Sequence, residues 1–111
     1  MVLSEFGRRA VTLSCKRRKF VWDKEKAATN LKNHKVSFEE ATTVFDDPLA
    51  VIFPDEDHSI EEDREIIVGH STQGRLVLVF FTELADNIIR IFSARKPTRR
   101  ERKDYEENIY A

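Results

Sequence analysis

The stretch Ser37-Phe38-Glu39-Glu40-Ala41-Thr42-Thr43-Val44-Phe45-Asp46-Asp47-Pro48-Leu49-Ala50-Val51-Ile52-Phe53 decides the fold, because the spacing of its apolar residues changes part-way along. Ser37 to Glu40 has the form S-x-x-E. In that motif the serine hydroxyl accepts from the Glu40 backbone N–H, and the Glu40 carboxylate returns to the N–H of Ser37. Phe38, Ala41, Val44 and Phe45 then recur at three- and four-residue intervals, as one face of a helix requires. Asp46-Asp47-Pro48 ends that helix. Leu49 to Phe53 is a continuous apolar run stopped by Pro54, which predicts a strand.

Upstream, Phe20-Val21-Trp22 is a short β-prone run, and Asp23 is a good N-cap for a helix through about His34. Ala27 and Leu31 make the inward stripe of that helix, with Lys24, Lys26 and Lys32 on its wet side. Downstream, Glu65 to His70 reads as a strand, Ser71-Thr72-Gln73-Gly74 as a turn and Arg75 to Glu83 as the antiparallel partner. Leu84 to Asn87 is a loop, and Ile88 to Arg95 is a further strand. The nearly continuous apolar content of these strands predicts a sheet covered on much of both faces. Thr98-Arg99-Arg100-Glu101 is a second capping box, opening a helix to about Asn108. The predicted order is β-α-α-β-β-β-β-α, an α+β domain with a mainly antiparallel sheet, two N-terminal helices and one C-terminal helix.

With 111 residues the chain supports one core. Residues 1–19 read as a flexible N-terminal extension that adds little to the fold, and 20–111 as the domain. Arg8, Arg9 and the run Lys16-Arg17-Arg18-Lys19 admit a second reading, a basic arm. No apolar run approaches the ~18 residues that span a bilayer, and the opening residues lack a secretory h-region. The lone Cys15 excludes an internal disulfide framework and suits a reducing cytoplasm.

Nineteen basic and twenty acidic residues nearly cancel, but they are segregated. Asp55, Glu56, Asp57, Glu61, Glu62, Asp63 and Glu65 surround a single Arg64. Arg95, Lys96, Arg99, Arg100, Arg102 and Lys103 surround a single Glu101. Such clustering makes a local positive field on a neutral molecule and points to a phosphate-bearing partner.

Several pieces, in order, resemble the BrnT toxins. They are Trp22-Asp23-x-x-Lys26, Asn30-Leu31-x-x-His34-x-Val36-Ser37-Phe38-Glu39-Glu40-Ala41 and Val44-Phe45-x-Asp47-Pro48-Leu49. Asp57-His58-Ser59, Gly69, Gly74-Arg75-Leu76 and Thr82-Glu83 follow. Last come Ile89-Arg90-Ile91-Phe92-Ser93-Ala94-Arg95-Lys96, Thr98-Arg99-Arg100-Glu101-Arg102 and Tyr105-Glu106. The likeness covers about residues 20–107. It implies a RelE-like fold and the toxin role in a bacterial type II toxin–antitoxin pair. It further implies RNA cleavage that inhibits translation, without metal or other cofactor. The implied partner is a BrnA-like antitoxin with a ribbon-helix-helix domain, through which alone DNA would be met. Two positions depart from the family pattern. Lys35 stands where glycine is common and a left-handed residue is expected, at a cost of about 1 kcal/mol. Pro97 replaces a small residue just ahead of the last helix.

A metal-independent ribonuclease must align the ribose 2′-OH with the phosphate and stabilise the charge of the phosphorane. Guanidinium groups suit this, because their fork pairs with two phosphate oxygens and stays protonated. Arg95 ends the last strand, and Arg99 and Arg102 share a helical face, so the three are expected to converge where strand meets helix. The opposing reading is a solvated basic helix or a dock for an acidic antitoxin segment. Lys96 and Ser93 flank Arg95 as further RNA contacts. Arg90, between isoleucines, is either a phosphate contact or the partner of Glu83. Arg64 is either an active-site cation or an ion-pair partner of the acidic loop.

His58 is the preferred general acid/base, since an ordinary imidazole titrates near neutrality; the alternative is a surface loop residue. Tyr105 either bonds phosphate and stacks on a base or is buried with Ile109. The charge of the helix C-terminus accounts for His34, and His70 opens a turn with no role assigned. Asp55, Glu56, Asp57 and His58 hold enough donors for a metal, but consecutive residues cannot all point inward, and a solvated acidic loop is the simpler reading. A catalytically silent RNA- or protein-binding module is the alternative to an endoribonuclease. A DNA-binding regulator is the weakest reading, because the one helix pair carries its acids in the second member.

Overall fold

The computed structural model describes residues 10–15, 17–55 and 63–109. Its elements are β1 (Ala10–Cys15), β2 (Arg18–Asp23), α1 (Lys24–His34), α2 (Phe38–Val44), β3 (Val51–Pro54), β4 (Glu65–His70), β5 (Leu76–Ala85), β6 (Ile88–Arg95) and α3 (Arg99–Ile109). The six strands form one sheet in the order β1-β2-β6-β5-β4-β3. Only β2 and β6 run parallel; every other pair is antiparallel. The α+β class, the three helices and the mainly antiparallel sheet match the sequence reading.

The element order departs from it at the start. Residues 10–15, expected within an extension of little consequence, form the edge strand β1, paired from Ala10↔Asp23 to Cys15↔Arg18. Val11 and Leu13 pack against the main core. The alternation Val11-Thr12-Leu13-Ser14 is the period of a half-buried strand.

Both sheet faces are covered because β5 alternates between two apolar sets. Val77, Val79 and Phe81 join Phe20, Trp22, Phe38, Val44 and Ile91 beneath α1 and α2. Leu76 and Leu78 meet Val68 and Tyr105 of α3 on the other side. Asp23 caps α1, accepting from the N–H groups of Glu25 and Lys26. Lys35 follows α1 with φ 60 and ψ 27, the left-handed conformation expected there, and its N–H bonds the Leu31 carbonyl.

Two local expectations are corrected. Leu31 is 50% exposed, and the inward residue of α1 is Asn30. Its Nδ2 donates to the carbonyls of Val36 and Ala94, at 2.9 and 2.7 Å, while its Oδ1 accepts from the Ala94 N–H at 3.1 Å. The recorded β2–β6 register ends at Arg90, so this amide bonds the edge of β6 beyond the point where a strand does. The second correction concerns Glu40. Ser37 accepts from its N–H as predicted, but its carboxylate takes Nε of Arg75 and the Ser71 hydroxyl, both at 2.7 Å. These bonds tie the β4–β5 turn to α2. The Arg75 hydrogen bond holds the Glu40 carboxyl below its ordinary pKa; burial opposes this, and Ser71 adds to it.

Candidate nucleic-acid interface

A groove of about 420 Å³ runs between α1 and β6. Lys26, Thr29, Asn33 and His34 line one wall, and Phe92 and Ser93 the other. Phe92 sits at an irregularity of the β5–β6 ladder, where the pairing steps from Phe80↔Ser93 to Phe81↔Ile91. An extra residue at such a step re-aims its side chain. The Arg64 guanidinium lies 4.0 Å from the centre of the Phe92 ring, and that of Arg90 lies 4.8 Å away. The Lys26 ammonium approaches the same ring at 6.0 Å. Stacking on the ring face attracts each cation by about 0.5–1 kcal/mol when partly exposed, and it fixes the direction of their remaining N–H donors. The buried Phe92 ring thus gathers three positive charges beside a groove whose lining also includes the Glu25 carboxylate.

Arg90, weighed as a phosphate contact or as the partner of Glu83, stands over the Phe92 ring. Its cross-strand neighbour is Thr82, whose hydroxyl bonds the Asp63 carbonyl just before Arg64. Glu83 instead accepts from the Asn87 N–H. Ser93 reaches Asn30 Oδ1 at 3.2 Å.

Arg95 lies further along β6. Its Nη1 and Nη2 donate to the two carboxylate oxygens of Glu101 at 2.7 and 2.9 Å, and its guanidinium stands 5.6 Å over Phe80. Glu101 also closes the second capping box, accepting from the Thr98 N–H at 2.8 Å while its own N–H bonds the Thr98 hydroxyl. The Arg95 hydrogen bonds draw the Glu101 pKa down to about 2, against the effect of burial. The same pairing raises that of Arg95.

Of the three arginines expected to converge, Arg95 is held by Glu101 of α3. Arg99 is exposed at the start of α3. Arg102 and Lys96 line a different depression with His70 and Arg75, and Arg95 is not part of its lining. Tyr105 takes the buried alternative: it is 2% exposed, packs with Val68, Leu76, Leu78 and Ile109, and meets the His70 ring edge-on at 6.1 Å. A side chain so placed seats α3 on the sheet and offers no face to a base. His58, Glu56 and Asp57 lie outside the described residues. Among the described residues no group of three His, Cys, Asp or Glu side chains forms a metal site, and no helix is long and apolar enough to cross a membrane.

The model of the family described as "Ribonuclease toxin, BrnT, of type II toxin-antitoxin system" matches residues 22–101, most of the chain. The chain belongs to the BrnT family. The crystal structure of the Brucella abortus ribonuclease toxin BrnT superposes with a TM-score of 0.54 at 21% identity, covering 70% of this chain and 94% of that one. That likeness establishes a shared fold. No curated protein matches the chain. BrnT proteins are ribonuclease toxins of type II systems, so an RNA target and an antitoxin partner come with the family. Within this member, Phe92, Lys26 and His34 are groove residues that sequence reasoning did not single out as functional. The spacing Arg90-x-Phe92 was the available signal, a cation and an aromatic ring on one strand.

Proposed function

We propose that this BrnT chain is a metal-independent endoribonuclease of RelE-like architecture that cleaves RNA in the cytoplasm and so inhibits translation. A ribbon-helix-helix antitoxin of the BrnA kind neutralises it and makes any contact with DNA. The observation that carries the reading is the stack of Arg64 and Arg90 on Phe92 at the mouth of the groove. Single-stranded RNA is held by stacking of its bases on aromatic rings and by cations along its backbone. Phe92 is buried, 9% exposed, and its ring serves to hold the two guanidinium groups side by side. Arg64 and Arg90 take the scissile phosphate, and their fixed charge stabilises the phosphorane formed by in-line attack of the 2′-oxygen. Arg95, oriented by Glu101, contributes a further positive charge from the same strand, and Ser93 is held at the wall by Asn30. Arg99 meets the backbone from the start of α3, whereas Tyr105 acts through packing. His58 remains the general acid/base of the proposal, and His34 is the imidazole that lines the described groove.

Induced expression in bacteria tests this. Growth arrest is expected for the wild type, with loss of arrest in Arg64→Ala, Arg90→Ala and Phe92→Ala and rescue by a co-expressed antitoxin. Purified protein should cleave RNA in excess chelator; abolition by chelator refutes metal independence. The Arg95–Glu101 pair favours one competing reading, since it neutralises a cation expected at the site. A silent RNA-binding module would bind RNA, leave it intact and permit growth.

A further inference from the structure

A second basic depression, of about 370 Å³, lies at the end of the sheet beyond β6, lined by His70, Gly74, Arg75, Leu76, Lys96, Pro97 and Arg102. No carboxylate is among these described lining residues. Arg75 is already spent: two of its nitrogens hold Glu40, and Nη2 also donates to the Lys35 carbonyl at 2.6 Å. His70 is likewise engaged, its Nδ1 lying 3.6 Å from Asp47. The cations left to act on a ligand are Lys96 and Arg102, both exposed.

Ser93 lines the groove and Lys96 lines the depression, so the two are separated by three residues of near-extended chain, about 10 Å. On the opposite wall the Arg75–Lys35 bond joins the depression to the residue after His34. A strand leaving Phe92 along β6 therefore meets Lys96 and Arg102 next. We propose that this depression is a distinct backbone subsite. It binds a phosphodiester of the same single-stranded RNA, outside the scissile position, and lengthens the footprint on the substrate. The proposal rests on the reading of the Phe92 groove as the RNA site.

The test measures the affinity of full-length protein for a ten-nucleotide RNA with 2′-deoxy substitution, which cannot be cleaved, over a range of salt concentrations. Each phosphate neutralised on a single strand contributes about 0.7 to the slope of log K against log salt. For Lys96→Ala/Arg102→Ala the expected result is roughly tenfold weaker binding and a slope smaller by about 0.7, as for one phosphate. The charge-keeping Lys96→Arg/Arg102→Lys should retain the wild-type slope. The loss should also be larger for the ten-mer than for a dinucleoside monophosphate; equal losses would make the depression part of the groove and overturn the proposal. If Arg64→Ala/Arg90→Ala weakens binding but Lys96→Ala/Arg102→Ala changes neither affinity nor slope, the subsite is refuted and the groove stands. Absence of any RNA binding by the wild type overturns both. Loss of antitoxin binding in Lys96→Ala/Arg102→Ala at unaltered RNA affinity assigns the depression to the protein partner, against the proposal.

Discussion

Replacing Glu101 by Gln removes a negative charge from a side chain that accepts both Arg95 nitrogens and the Thr98 N–H. In the folded chain its carboxyl titrates at about 2 instead of the ordinary 4.5. At about 1.4 kcal/mol per unit, that displacement corresponds to roughly 3 kcal/mol. The pair is about a third exposed, so solvent screening reduces the expected loss to about 1–2 kcal/mol. A domain of this size should then melt on the order of 5–10 °C lower. Because the folded pKa is depressed, the stabilisation is complete above the ordinary carboxylate range and is lost as pH falls from about 5 towards 2. Glu40 and Asp47 also have lowered values, but they are common to both proteins and cancel in the difference. Thermal denaturation of wild type and Glu101→Gln from pH 7 down to 2.5 should show a gap that is constant above pH 5 and closes towards pH 2. A gap independent of pH, or a variant as stable as the wild type at pH 7, would refute the assignment of the stabilisation to this ion pair.

Lys35→Gly should stabilise the protein by about 1 kcal/mol in chemical denaturation, because Lys35 holds φ 60 and glycine adopts that conformation without a Cβ clash. Gly69→Ala should destabilise by about 1–3 kcal/mol, since a Cβ there would stand 2.9 Å from that of Ala50 and 3.0 Å from Asp47 Oδ2. Asn30→Ala should lower stability by about 2–3 kcal/mol and accelerate hydrogen exchange at the Ala94 amide, which its Oδ1 covers; unchanged protection would show that the amide does not replace a strand. Phe92→Leu should keep the fold and weaken binding of non-cleavable RNA several-fold, because Arg64 and Arg90 lose the ring that holds them, at about 0.5–1 kcal/mol each; isothermal titration checks it.

Apolar period was enough for the strands that are covered on both faces. β4 and β6 appear at the residues expected, because each carries a run of apolar residues with few interruptions and the runs end at Gly74-containing or capping-box sequences. The β1–β2 hairpin was missed although Val11-Thr12-Leu13-Ser14 alternates. The sequence between Cys15 and Arg18 is Lys-Arg, and basic residues are not turn punctuation. In α1 the apolar stripe named Leu31, whereas the residue turned inward is Asn30. What drew the amide in is the open N–H and C=O of Ala94, a demand set by where β2 leaves β6. Helical periodicity carries no record of a vacancy in a neighbouring strand.

The site shows the same division between residue type and grouping. Arginine was the right chemistry to seek, and Arg64, Arg90 and Arg95 were each named from the sequence. Their neighbours were not. Arg95 and Glu101 are one helical entry apart, yet the capping-box motif accounts for Glu101 only through its bond to the backbone. The carboxylate has an oxygen to spare, and a guanidinium fork one residue past the strand's last apolar position, Ala94, is within reach of it. Arg64 and Arg90 meet on Phe92 because β4, β5 and β6 are registered so that Thr82 opposes Arg90 while holding the chain at Asp63. The same ladder steps from Phe80↔Ser93 to Phe81↔Ile91, so Phe92 stands at the step with Arg90, two residues back, over its ring. A register across neighbouring strands, invisible to any count of apolar positions, is what brings two arginines distant in sequence to one ring.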